Sequence, residues 1–106
     1  MMTDKDYIVV TTLKNKLSQV IAIVDLRVFG SRARDSVDEY SDIDVFLEVL
    51  FLNKDLKNQI YDIAWEVGFE NFVVISVLIF TRDEIENSPL RASPIVENIF
   101  AEGIKV

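Results

Sequence analysis

The stretch that decides the fold is Phe29-Gly30-Ser31-Arg32-Ala33-Arg34, followed after seven residues by Asp42-Ile43-Asp44-Val45. Leu26 to Phe29 has the apolar, β-prone character of a short strand, and Gly30-Ser31 ends it abruptly. Ser31 to about Ser36 is expected as a short helix, and the polar, acidic Val37 to Ser41 as a loop. A glycine at the turn lets another group approach the backbone closely. Free amides at a helix start, with the Ser31 hydroxyl, make an anion site. Arg32 and Arg34 place positive charge beside it. Asp42 and Asp44 stand at the start of the next strand. Period-two geometry points both carboxylates to one face, roughly 6–7 Å apart at their bases, while Ile43 points into the core. Two like charges held this way repel, and a divalent cation relieves that. Carboxylate oxygens with positions left open for phosphate suit Mg²⁺ or Mn²⁺.

Outward from this stretch the chain alternates helix and strand. Thr3 and Asp6 form a capping-box pair, and Val10, Leu13, Leu17, Val20 and Ile21 recur at helical spacing. This predicts a helix from about Asp4 to Val20. Ile43 to about Leu50 reads as a strand. Asn53 caps a helix whose apolar face is Leu56, Ile60, Ile63, Ala64 and Val67, with Gly68 as its stop. Phe72 to Phe80 is almost wholly apolar, which predicts a central third strand. Thr81 caps a further helical turn, Ser93-Pro94 starts the last helix, and Gly103 ends it. The fold class expected is α/β (α+β): one domain over residues 1–106, a three-stranded mixed sheet flanked by helices.

Composition narrows the chemistry. Lys plus Arg is 11 against 18 Asp plus Glu, giving a net charge of −7. Such a surface repels phosphate backbones and argues against stable nucleic-acid binding. There is no Cys and no His. Disulfides, thiolate and imidazole metal sites, thiol nucleophiles and histidine general bases are therefore excluded. No apolar run is long enough to span a membrane and no signal peptide opens the chain, so the expected location is the cytoplasm. Half the residues are apolar, more than a domain of this size readily buries. A partner or self-association would cover the excess.

A phosphate cradle followed a dozen residues later by a metal-binding pair is what holding a nucleoside triphosphate and its metal requires. Phe29-Gly-Ser-Arg-Ala-Arg34 with Ser41-Asp-Ile-Asp-Val45 resembles the nucleotidyltransferase superfamily of DNA polymerase β type. Within it the chain is similar to the minimal nucleotidyltransferase (MNT) proteins. The resemblance extends over nearly the whole chain, since Asn87-Ser-Pro-Leu90 and Asn98 to Ile104 also look like that group's ending. It implies the polymerase β-like fold, ATP as substrate and Mg²⁺ or Mn²⁺ as cofactor. By that resemblance Gly30, Ser31, Arg32 and Arg34 bind phosphate, and Asp42 and Asp44 bind metal and carry catalysis. It further implies an antitoxin paired with a helical HEPN-type toxin, neutralised by binding or by AMP transfer to a toxin tyrosine.

The family pattern also wants a third carboxylate on the following strand. There the only polar residue between Phe72 and Phe80 is Ser76, a poorer ligand for a hard cation. Glu48 shares the face of Asp42 and Asp44 but lies about 13 Å from Asp44 by strand rise. Asp35 stands where the family often has Gly. The missing acid keeps a second reading open: a degenerate module that binds nucleotide or partner and transfers nothing. A small-molecule transferase is less fitting, because such enzymes carry an added helical domain for the acceptor. Tyr61 and Trp65 are expected to pack in the core. Lys14, Lys16, Lys54 and Lys57 are expected on solvated faces, and Arg82 in an exposed charge cluster with Asp83 and Glu84.

Overall fold

In the computed structural model, residues 2–33 and 42–106 are described. The elements are α1 (Asp4–Ser18), β1 (Ile23–Phe29), a one-turn 3-10 helix (Gly30–Arg32), β2 (Ile43–Val49), α2 (Lys54–Glu70), β3 (Ile75–Thr81), α3 (Arg82–Asn87), a second 3-10 turn (Pro89–Ala92), α4 (Pro94–Glu102) and β4 (Ile104–Lys105). Helix starts follow the capping chemistry of the sequence. Thr3 and Asp6 form a reciprocal capping box, as do Thr81 and Glu84, and the Asn53 side chain accepts from the Leu56 amide. The expected helix to Ser36, the acidic loop, Arg34 and Asp35 fall within residues 34–41, outside the described residues.

The sheet order is β3-β2-β1-β4, so among the described residues it has four strands rather than the expected three. β1 pairs antiparallel with β2 and with β4, and β2 pairs parallel with β3. β4 is two residues long and has no periodic signal of its own. It is held at long range: the Val106 amide donates to the Leu26 carbonyl at 3.0 Å, and Lys14 Nζ donates to the Val106 carbonyl at 2.7 Å. Lys14 is thus an anchor, not only a solvated lysine.

Helices cover both faces. On one, Val9, Val10, Leu13 and Leu17 of α1 and Ile60, Ala64 and Val67 of α2 pack on Leu26, Val28, Ile43, Val45, Leu47 and Val49. On the other, Ile85, Val96 and Ile99 from α3 and α4 pack on Phe46, with Phe29 and Phe80 beside them. Phe46 meets Phe100 edge-on, ring centres 5.3 Å apart.

This two-sided cover explains why β3 is not central. Its apolar run predicted an interior strand, but it lies at the sheet edge and its residues are mostly half-buried. A strand between two helical layers is apolar on both faces whether or not both of its edges are paired. The run reports coverage, not position.

Helix α2 ends later than Gly68 predicts. The Val73 amide donates to the Gly68 carbonyl at 3.0 Å and the Phe72 amide to the Phe69 carbonyl at 3.4 Å. This is a Schellman closure with Phe72, at φ 57°, in the left-handed position that glycine usually takes. A bulky residue there carries about 1–2 kcal/mol of strain. Gly68 has another reason to lack a side chain: a Cβ there would stand 2.5 Å from the Val73 carbonyl oxygen.

Candidate functional site

β2 brings Asp42, Asp44, Phe46 and Glu48 onto one face in alternation, while Ile43 is buried in the opposite core. Register then builds the site around Asp44. Phe29, the last residue of β1, lies opposite Asp44 on one side, and Ser76 of β3 lies opposite it on the other. The 3-10 turn that follows Phe29 therefore sits beside the Asp44 carboxylate. Gly30 has φ 72°, and a Cβ there would come within 2.5 Å of Asp44 Oδ2. Glycine is required twice over, by the left-handed backbone and by this approach. The sequence predicted a close approach at Gly30; the group that approaches includes the chain's own carboxylate.

Asp42 is exposed and Asp44 half-buried. Partial burial, and secondarily the Asp42 charge, raise the Asp44 carboxyl above its ordinary value. Ser76 Oγ donates to Asp42 Oδ2 at 3.3 Å. A hydroxyl thus occupies the third position of the carboxylate pair. Among the described residues no group of three or more Asp, Glu, His or Cys side chains is arranged to hold a metal ion.

The cationic side of the site differs from the sequence expectation. Arg32 pairs with Asp6 of α1, Nη1 to Oδ1 at 2.6 Å, both side chains largely buried. Asp6 at the same time accepts from the Thr3 amide through Oδ2, at 3.1 Å. One carboxylate therefore caps α1 and ties the Gly30 turn to it. Sequence analysis found the cap; the tie needs a contact across 26 residues. Ser31 lies in a single described 3-10 turn rather than at the head of a regular helix, so the helix-start argument for its amides is reduced to one turn. Arg34 lies outside the described residues.

Glu48 is not a third ligand. It is buried opposite Asp25 at the far end of the same face. Burial, then the Asp25 charge, raise its carboxyl above the usual range. Asp25 is held by Arg27, Nε to Oδ2 at 2.8 Å, and the Arg27 guanidinium lies 4.8 Å from the centre of the Phe100 ring.

Two concavities border the site. A cleft of about 200 Å³ lies between the Gly30 turn and α4, lined by Phe29, Ala33, Ile95, Asn98 and Glu102 among others. Asn98 and Glu102 were not singled out individually in the sequence. The α4 spacing Ile95, Asn98, Ile99, Glu102 puts them on one face, but only packing aims that face at the turn. A larger groove of about 860 Å³ runs from Asp42 along the C-terminal half of α2, lined by Tyr61, Trp65, Phe69 and Phe72 among others. Tyr61 and Trp65 are therefore not core residues. Trp65 is 69% exposed, and its indole stacks on the Phe69 ring at 5.2 Å. Arg82 is exposed as expected, but its partner is Glu86, one turn on, at 2.9 Å. No described helix is long and apolar enough to cross a membrane.

No curated protein sequence matches the chain. The family model for the nucleotidyltransferase domain matches residues 10–106, nearly its full length, and the chain belongs to that family.

Proposed function

We propose, from that membership, that the protein is a nucleotidyltransferase of the minimal type that binds Mg–ATP and serves as the antitoxin of a HEPN-type toxin, with AMP transfer to a partner tyrosine as its reaction. The observation that carries this is the packing of the Gly30 turn directly on Asp44, with Asp42 and Ser76 alongside. A turn that presents backbone to a triphosphate and a carboxylate pair that presents oxygens to its cation share one end of the two central strands.

The residues fit a hard divalent cation. Asp44 is raised by partial burial and by Asp42, so the pair carries a repulsion that a cation relieves. When bound, Mg²⁺ or Mn²⁺ would neutralise triphosphate charge and help align the phosphorus under attack. The chain's own residues do the rest. Asp42 and Asp44 would hold that cation through their oxygens and so set where the triphosphate sits. The Gly30-Ser31 turn offers amides and a hydroxyl to the phosphates. The acceptor hydroxyl loses its proton to solvent and forms a bond to the α-phosphorus as the bond to pyrophosphate breaks, so catalysis is positioning and charge neutralisation. Arg32, paired with Asp6, ties the turn to α1.

Ser76 favours a second reading, a module that binds nucleotide and partner without transfer. Its hydroxyl gives the Asp42–Asp44 pair a hydrogen bond where the family's pattern gives a third negative charge. Calorimetry with and without Mg²⁺ tests the shared part of both readings. Asp42→Asn should cost roughly 10–100-fold in metal-dependent ATP affinity, the worth of a charged contact. Unchanged affinity rules out the carboxylate pair as the cation site. Labelled ATP with the partner protein separates the two readings. In the transfer reading wild-type protein labels the partner. In the binding-only reading it does not, and Ser76→Asp in excess Mg²⁺ brings labelling up.

A further inference from the structure

The surface of α2 carries two parallel rows. Tyr61, Trp65 and Phe69 recur every four residues, and so do Asp62, Glu66 and Glu70 one position further round. Both rows are exposed. The aromatic row forms one wall of the 860 Å³ groove, and Phe72, Val73, Val74 and Ile75 line it further. Phe72 is 95% exposed. It holds a left-handed backbone at the helix closure, where glycine would sit without strain. The chain thus displays an aromatic ring at a position where local stability favours removing it.

Charge selects the occupant. The charged side chains lining the groove, Asp42 and Glu70, are both acidic, and the row beside it adds Asp62 and Glu66. Among the described residues, Lys16 lies 3.9 Å from Glu70, and Lys57 stands one turn before Tyr61 on the same helix. A second copy would bring another net −7 and the same acidic row against this one. The aromatic row extends about 12 Å along the helix, a length matched by two turns of an apolar helix face. We propose that this groove docks a basic amphipathic helix of another protein, its apolar face on Trp65, Phe69 and Phe72 and its Lys or Arg residues against Glu66 and Glu70.

Asp42 belongs to both the groove wall and the carboxylate pair, so a helix seated here ends at the candidate site and brings its own side chains to it. This deepens the partner half of the function proposed above and rests on it only for the acceptor being a protein. It does not depend on transfer.

Trp65 is the only tryptophan, so its emission reports occupancy directly. The probe is a Trp-free amphipathic peptide of about five helical turns, with Leu on one face and Lys on its flanks. A second peptide carries Glu in place of Lys. Titration with the Lys peptide should shift Trp65 emission to the blue, with affinity falling at least tenfold between low and high salt. The Glu peptide should give no shift. Glu66→Lys combined with Glu70→Lys should weaken the Lys peptide tenfold or more. Phe72→Gly should weaken it similarly while raising the melting temperature, a pair of changes that loss of fold cannot produce. Mg–ATP affinity of Phe72→Gly, measured separately, should match wild type, so that failure at the groove and failure at the carboxylates are told apart. Three results overturn the proposal: no shift with the Lys peptide, equal binding of both peptides, or a blue shift that grows with protein concentration alone as sedimentation shows a dimer.

Discussion

The sheet face that bears Asp44 and Glu48 carries two acid pairs, one along β2 and one across β1 and β2, and they have opposite fates. At its start, Asp42 and Asp44 stand beside the Gly30 turn, one exposed and one half-buried, with Ser76 donating across. At its end, Glu48 faces Asp25 with less than a tenth of either residue exposed, and Arg27 clamps Asp25 beneath Phe100. Phe46, fully buried, separates them. Carboxylates on the same face stay partly exposed where the sheet opens and become structural where aromatic packing and an arginine close it. Burial with a fixed counter-charge makes a carboxylate part of the fold; partial burial beside a like charge raises the cost of its ionised form.

The sharpest way to break this comparison is to remove the clamp. Arg27→Met leaves the buried Asp25 without its ion-pair partner, while Arg82 still acts on Glu48, and should lower stability by about 3 kcal/mol, a fall of more than roughly 10 °C in Tm for a domain of this size. Mg–ATP affinity of the folded fraction should stay within about twofold of wild type, within a few tenths of a kcal/mol. A small change in Tm would mean that water, not Arg27, balances the far pair.

A smaller effect is expected at the open end. Gly30→Ala forces a Cβ into the left-handed region and against Asp44 Oδ2. It should cost about 1–2 kcal/mol by thermal unfolding and weaken Mg–ATP binding in calorimetry, because Asp44 must move. Lost stability with unchanged nucleotide affinity would separate the turn from the carboxylate function.

The smallest effect is a pH dependence that both pairs share. Glu48 and Asp44 are raised above their ordinary values of 4.5 and 3.8, each mainly by burial. Between the ordinary and the raised value the folded state binds more protons than the unfolded chain, so stability falls as pH rises through that window. Glu48→Gln, and Asp44→Asn without metal, should therefore melt higher than wild type at neutral pH, and the advantage should vanish below about the unfolded-state pKa. Added Mg²⁺ should stabilise wild type and Glu48→Gln but not Asp44→Asn. A Mg²⁺ response retained by Asp44→Asn would place the cation elsewhere.

Local chemistry made much of this legible in advance. The caps at Thr3, Asn53 and Thr81, the strand of Asp42 and Asp44, their shared face and the break at Gly30 all depend on residues within one turn or one pleat of each other. Ser76 was readable as the lone polar residue of its strand, and register then set it opposite Asp44. The positive charge of Arg32 is visible in the sequence, while its partner Asp6, distant in sequence, is not. Glu48 was assigned to the right face, but the aromatic packing and arginine that enclose its end of the sheet were not visible.

By itself the sequence determined the alternation of elements, where helices begin, which acids share a face and which chemistry is excluded by having neither Cys nor His. Those follow from short-range sterics, capping and periodicity, which act over a few residues. Only the tertiary structure decided that the apolar β3 is an edge, that Tyr61 and Trp65 face solvent, that α2 closes on a left-handed Phe72, and that one acid pair is sealed while the other is open. Each of these depends on which surfaces distant segments cover, and an apolar residue carries the same local signal whether a neighbour arrives to bury it or not.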